Sequence, residues 1–179
     1  MRLIALDPGS KNFAFAVMED KKVLECGYLK TIRSLKWADF EDEATGFRNR
    51  WFDILNKYEP DCVLAERFMA RPGGNGGAVG EYINIMLGIL STVNSSKGIP
   101  THLVTSAQWK NYLNNRYGKV DNMKKHFPHL SVHEADALGI AVYQMETELE
   151  QKGKLLGYVK RLKRYPFAGK EASKTKKKP

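Results

Sequence analysis

Long apolar runs are missing from this sequence. No stretch of about 18 apolar residues, the length needed to cross a bilayer, occurs in its 179 positions, so no membrane-spanning helix is expected. Cysteine is scarce: Cys26 and Cys62 stand alone inside apolar runs, 36 positions apart. That spacing offers neither a zinc ribbon nor a disulfide framework and points to buried free thiols in a reducing compartment. The N-terminus, Met1-Arg2-Leu3-Ile4-Ala5-Leu6-Asp7, has too short an apolar stretch for a signal peptide. A cytoplasmic protein is the expectation. Internal repeats are also lacking. With 42% hydrophobic residues the chain has enough apolar side chains for a core, which excludes wholesale disorder. Its length argues for one compact domain with a tail.

Acidic residues are nearly absent from one end. Lys+Arg 29 against Asp+Glu 20 gives a net charge of +9. Residues 152–179 hold 11 Lys/Arg and one acid, a net of +10, and the remaining 151 residues sum to −1. A basic tail on a neutral body suggests a polyanionic partner, with nucleic acid ahead of an anionic membrane. The expected division is a folded domain over 1–151 and a basic tail over 152–179, in which Tyr158, Tyr165 and Phe167 interleave with Lys160, Arg161, Lys163 and Arg164.

The pattern predicts strands at 2–7, 12–18 and 23–29, joined by tight turns as an antiparallel meander. Phe40, Ala44, Phe47, Trp51, Ile54 and Tyr58 step by three and four and predict a helix from Trp37 to Tyr58, ended by Pro60. A buried strand at 62–65 runs into Glu66. The glycine-rich loop 73–77 lacks the Gly-Lys-Ser/Thr of a Walker A loop. A long helix at 78–95, a strand at 102–105, a helix at 107–113 with Ser106 as its N-cap, and a last helix at 133–151 complete an α/β chain.

Three carboxylates stand out. Asp7 ends the first apolar strand, Glu66 ends the fourth, and Asp136 lies in the last helix among Ala135, Ala137, Leu138 and Ile140. Charge at buried strand ends is costly unless compensated, and a divalent cation is the usual compensation. His133, three residues before Asp136, shares its helix face; Glu134 projects about 100° away. Such a set fits one or two Mg²⁺ or Mn²⁺ ions serving phosphoryl displacement. His126, His129 and His133 lack a fourth partner for zinc. Asp7-Pro8-Gly9-Ser10 resembles the opening of actin-like ATPase phosphate loops, but that class needs two related subdomains and 179 residues are too few.

Ile4-Ala5-Leu6-Asp7-Pro8-Gly9-Ser10, Ala65-Glu66-Arg67-Phe68-Met69-Ala70-Arg71 and His133-Glu134-Ala135-Asp136-Ala137-Leu138-Gly139-Ile140-Ala141 together resemble the RuvC-like Holliday-junction resolvases of the RNase H-like superfamily. The resemblance covers about residues 1–150. It implies an RNase H-like fold with a five-stranded mixed sheet flanked by helices. It also implies a homodimer, dependence on Mg²⁺ or Mn²⁺, and paired symmetric nicks in four-way DNA junctions that leave 5′-phosphate and 3′-hydroxyl ends during recombination and repair.

Asp7, Glu66 and Asp136 match the family's acids. The fourth position, commonly Asp in bacterial members, is His133 here, with Glu134 as its rival. Phe68 matches the aromatic that stacks at the junction centre. Arg67 and Arg71 flank it as phosphate contacts, and Lys110 and Lys119 are candidates for the scissile phosphate. The tail cations Lys160, Arg161, Lys163 and Arg164 suit a DNA arm. The helix at 78–95 is the family's dimer helix and carries a wide apolar arc, with Val79, Ile83, Met86 and Leu90 as expected contacts. The small size and basic tail fit a phage or other viral member, acting in its host's cytoplasm, as well as a bacterial one. A broader fork and flap debranching nuclease, and a catalytically weak junction-binding module, stay open.

Overall fold

The computed structural model describes residues 1–69, 76–117 and 127–151. Arg71, Lys119, Lys160, Arg161, Lys163 and Arg164 lie outside the described residues. The elements follow as β1 (Arg2–Asp7), β2 (Phe13–Glu19), β3 (Lys22–Leu29), α1 (Trp37–Tyr58), β4 (Cys62–Glu66), α2 (Gly76–Ser96), β5 (Thr101–Val104), α3 (Ser106–Tyr117) and α4 (Val132–Gln151). They form a five-stranded sheet in the order β3-β2-β1-β4-β5. The meander β1-β2-β3 is antiparallel, whereas β4 runs parallel to both β1 and β5. Among the described residues no helix is long and apolar enough to cross a membrane.

The apolar runs of β1 and β4 explain their central place, since a strand covered on both faces loses the alternation of a half-exposed one. Strand parity divides their side chains. Ile4 and Leu6 of β1, with Val63 and Ala65 of β4, join Phe13, Phe15 and Val17 against Phe47, Trp51 and Leu55 of α1 and Met86 and Leu90 of α2. Leu3 and Ala5, with Cys62 and Leu64, face the other way, against Trp109 and Leu113 of α3 and Ala135, Ala137, Leu138 and Ala141 of α4. That second face is lined with small residues, Ala5, Ala14 and Ala16 against Ala135, Ala137 and Ala141, so α4 can approach the sheet closely.

The chain turns are locally encoded. Glu59 adopts φ 44 and closes α1 in the left-handed region, its N–H donating to the Leu55 carbonyl at 2.8 Å, and Pro60 blocks continuation. Both helices of the second face begin with a capping box. The Thr105 hydroxyl accepts from the Gln108 N–H at 3.2 Å, while the Gln108 side chain accepts from the Thr105 N–H at 2.7 Å. Ser131 and Glu134 repeat this at α4, at 3.1 and 3.0 Å. The cap of α3 is therefore Thr105 and not Ser106, because the Thr-x-x-Gln spacing satisfies two donors where Ser106 would satisfy one.

The expectation for α2 needs a larger correction. Ile83, Met86 and Leu90 are buried at 2%, 0% and 2% exposure inside this chain's own core, and only Val79 is exposed. Met86, Leu90 and Val93 form the stripe that α2 lays on the sheet and α1, and Ile83 is buried within this chain as well, so three of the four expected dimer contacts are core residues. Cys62 is buried, Cys26 is half-buried, and neither is in a disulfide.

Candidate active site

Parity and register bring the first two acids together. Asp7 has the parity of Leu3 and Ala5, and Glu66 that of Cys62 and Leu64, so both point to the face covered by α3 and α4. The parallel register pairs Leu6 with Ala65, and its next step sets Asp7 beside Glu66 at the C-terminal ends of neighbouring strands. The capping box at Ser131 starts α4 above that end. The first turns of α4 then lower His133 and Asp136 toward the two acids.

Each acid leans on a donor. Asp7 Oδ2 lies 2.8 Å from His133 Nδ1. An ionised carboxylate only accepts, so this contact holds the imidazole with its proton on Nδ1 and leaves Nε2 as the basic nitrogen. Glu66 Oε2 accepts from the Trp109 indole N–H at 2.7 Å. Asp136 Oδ2 accepts from the Lys110 ammonium at 3.3 Å. That ammonium also stands over the Trp109 ring, 4.8 Å from its centroid, a cation–π distance. The Asp7 side chain is 15% exposed, whereas that of His133 is 45% exposed, so the cluster opens to solvent on the His133 side.

The electrostatics mark these groups as one system. Burial raises the Asp7 pKa above the ordinary carboxylate value, the His133 bond opposes this, and the Asp136 charge adds to the rise. Burial also raises Glu66, the Trp109 N–H lowers it, and the nearby Asp7 charge raises it again. Two carboxylates held above their usual pKa by desolvation and by neighbouring carboxylate charge form a site that favours a cation. Among the described residues, no three His, Cys, Asp or Glu side chains are close enough together, as placed, to enclose a metal ion. The donor chemistry, carboxylate oxygens plus one imidazole, fits Mg²⁺ or Mn²⁺.

Glu134 is engaged in its capping box with the Ser131 N–H, and it is His133 that meets Asp7. Arg67 is exposed, and its backbone N–H donates to the Val104 carbonyl at 2.7 Å. Phe68 is half-buried, with its ring laid on Gly80 of α2, where an added Cβ would come within 2.7 Å of Cε1. Met69 beside it is exposed. Lys110 stands in the cluster. A cavity of about 510 Å³, lined by Lys11, Ile32, Arg33, Val79 and Tyr82 among others, holds none of the acids. Sequence reasoning did not assign Trp109 to the site. The signal was the Trp109-Lys110 pair one turn into a helix that follows β5, the strand beside β4.

No protein-family model matches this sequence, and no curated protein matches it. Solved structures do. The fold is similar to that of RuvC from Thermus thermophilus, solved in complex with a Holliday junction substrate, with a TM-score of 0.64 and 18% identity over 86% of this chain and 97% of that one. A further Thermus thermophilus RuvC structure has the same score and identity and is covered to 98%. The yeast mitochondrial Holliday junction resolvase Ydc2 is similar with a TM-score of 0.53 and 16% identity, over 92% of this chain and 86% of that one. At these identities the likeness establishes the fold: an RNase H-like, five-stranded mixed sheet as in RuvC.

Proposed function

We propose that this chain is a metal-dependent endonuclease that resolves four-way DNA junctions by paired symmetric nicks. The observation that carries the reading is the convergence of Asp7, Glu66, Asp136 and His133 from two strand ends and one helix onto one partly buried, partly open face. The fold shared with two junction resolvases supports it, as does the net charge of +10 over 152–179.

Asp7, Glu66 and Asp136, with His133 as the fourth residue, would hold one or two Mg²⁺ or Mn²⁺ ions. When bound, such ions supply Lewis-acid activation of water and stabilisation of the leaving oxygen. The chain's own residues do the rest. Asp7 fixes the His133 tautomer, so that Nε2 can accept a proton from water or contribute a neutral ligand. Lys110, one-third exposed, offers its ammonium to the scissile phosphate once Asp136 is engaged elsewhere. Arg67 and the tail cations bind backbone phosphates, and each neutralised phosphate adds to the salt dependence of binding. Phe68, released from Gly80, offers a π-face to an unstacked base, a contact worth about 1–3 kcal/mol. The products are 5′-phosphate and 3′-hydroxyl ends. A second copy of the chain would supply the second cut, since a two-fold junction calls for a two-fold enzyme.

The test is incubation of the protein with a labelled four-way junction and a matched linear duplex, in Mg²⁺, Mn²⁺ or EDTA. Paired nicks in opposite arms, absent in EDTA and absent from the duplex, are expected. Nicks spread over forks and flaps would instead make it a general debranching nuclease. Tight junction binding without cutting in either metal would make it a binding module.

A further inference from the structure

We propose that Trp109 is a positioning residue for Glu66: its indole N–H holds one carboxylate oxygen so that the other is presented to the cation site. This rests on the metal-site reading above and deepens it.

The indole is well placed for the task. Trp109 is fully buried and packed in the core between the sheet, α3 and α4. Its backbone is set by the capping box that starts α3 and by β5, whose Val104 is paired in register with Glu66. A ring so fixed gives a directional donor with no rotamer freedom to lose. Glu66, in contrast, has three side-chain torsions to order before it can serve as a ligand, at an entropic cost. An indole has one donor and no acceptor, so it orients a carboxylate without competing for the cation.

A structural role alone accounts for this poorly. A buried indole needs some acceptor, and Trp51 shows how this chain supplies one for purely structural ends: its N–H goes to the neutral, fully buried Asn94 at 2.8 Å. Trp109 instead takes a carboxylate that feels the charges of Asp7 and Asp136. Its ring also carries Lys110, whose ammonium holds Asp136. One side chain thus orders an acid from β4 and the lysine that reaches the acid of α4. Supporting bonds of this kind contribute about 10–100-fold in metal affinity elsewhere.

Two measurements on the full chain test it. The sequence has three tryptophans, so an indole ¹H–¹⁵N spectrum has three signals. The Trp109 signal should shift in Glu66→Gln and again on titration of the wild type with Mg²⁺, while that of Trp51 stays in place. Calorimetry with Mn²⁺ should show about tenfold weaker binding in Trp109→Phe and unchanged binding in Trp51→Phe, which loses a buried indole N–H of the purely structural kind. Equal Mn²⁺ affinity in folded Trp109→Phe and wild type overturns the proposal. If Trp109→Phe does not fold, the Glu66→Gln spectrum decides, and an unmoved Trp109 signal overturns it. A wild type that binds no Mn²⁺ and cuts no junction would remove the functional reading and this proposal together. A wild type that cuts, beside an unaffected Trp109→Phe, would remove only this one.

Discussion

Replacing Asn94 with alanine should cost this protein more than its single amide suggests. Asn94 is fully buried where α1, α2 and β5 meet. Its Oδ1 accepts from the Trp51 indole at 2.8 Å and its Nδ2 donates to the Thr101 hydroxyl at 2.8 Å. Alanine leaves the Trp51 N–H buried without an acceptor, about 1–3 kcal/mol, and removes the Thr101 bond, about 0.5–1.5 kcal/mol. The sum is about 1.5–4.5 kcal/mol. At about 2–4 °C per kcal/mol for a chain of this size, Tm should fall by about 3–18 °C in a calorimetric scan. The account also requires coupling. Once Trp51→Phe has removed the donor, Asn94→Ala should cost at least about 1 kcal/mol less than it does alone, because no orphaned N–H is created. Mn²⁺ affinity should not change, since this pair lies on the opposite face of the sheet from the acids. Simple additivity of the two substitutions, or a Tm loss under about 2 °C, would refute the reasoning.

Other outcomes follow from the same geometry. In EDTA at pH 7, Asp7→Asn should melt above the wild type, because the folded protein raises the Asp7 pKa and ionisation there costs stability. As pH falls through the folded value and below the ordinary carboxylate value near about 4, the wild-type group becomes protonated in both states and the gap should close; a gap constant with pH contradicts this. The Cys26 thiol, pushed up to about 12 by burial and the neighbouring Glu134 and Glu25 charges, should resist disulfide reagents at pH 8 until the protein unfolds; rapid labelling of native protein contradicts this. Gly80→Ala should displace the Phe68 ring and destabilise, yet in a Phe68→Ala background the same change should stabilise by about 1 kcal/mol through helix propensity; equal effects in both backgrounds contradict the packing.

Much of this was legible in the sequence for stated reasons. β1 and β4 are continuous apolar runs ending in an acid, so their central position and their carboxylates come from one pattern. The α1 boundaries at Trp37 and Tyr58 follow from the aromatic period and Pro60. Periodicity could not say what covers α2, because Met86 and Leu90 look the same whether they face a partner or the chain's own sheet. The Thr105 cap was missed because Ser106 is an equally good capping residue by type, and only the reciprocal bond to Gln108 separates them. Trp109 reads from sequence as a core aromatic, which it is; that its N–H reaches Glu66 depends on the pairing of β4 with β5, which no local pattern contains.

The central claim is that four side chains form one metal-dependent cutting site. Its most direct test is the rate of junction cleavage in Mg²⁺ and Mn²⁺ by Asp7→Asn, Glu66→Gln, Asp136→Asn and His133→Ala, each beside its junction affinity. All four variants should still bind the junction and should cut it at least about 100-fold more slowly, the loss expected when a group needed only in the transition state is removed. Cleavage at the wild-type rate by Asp7→Asn or Glu66→Gln would contradict the account.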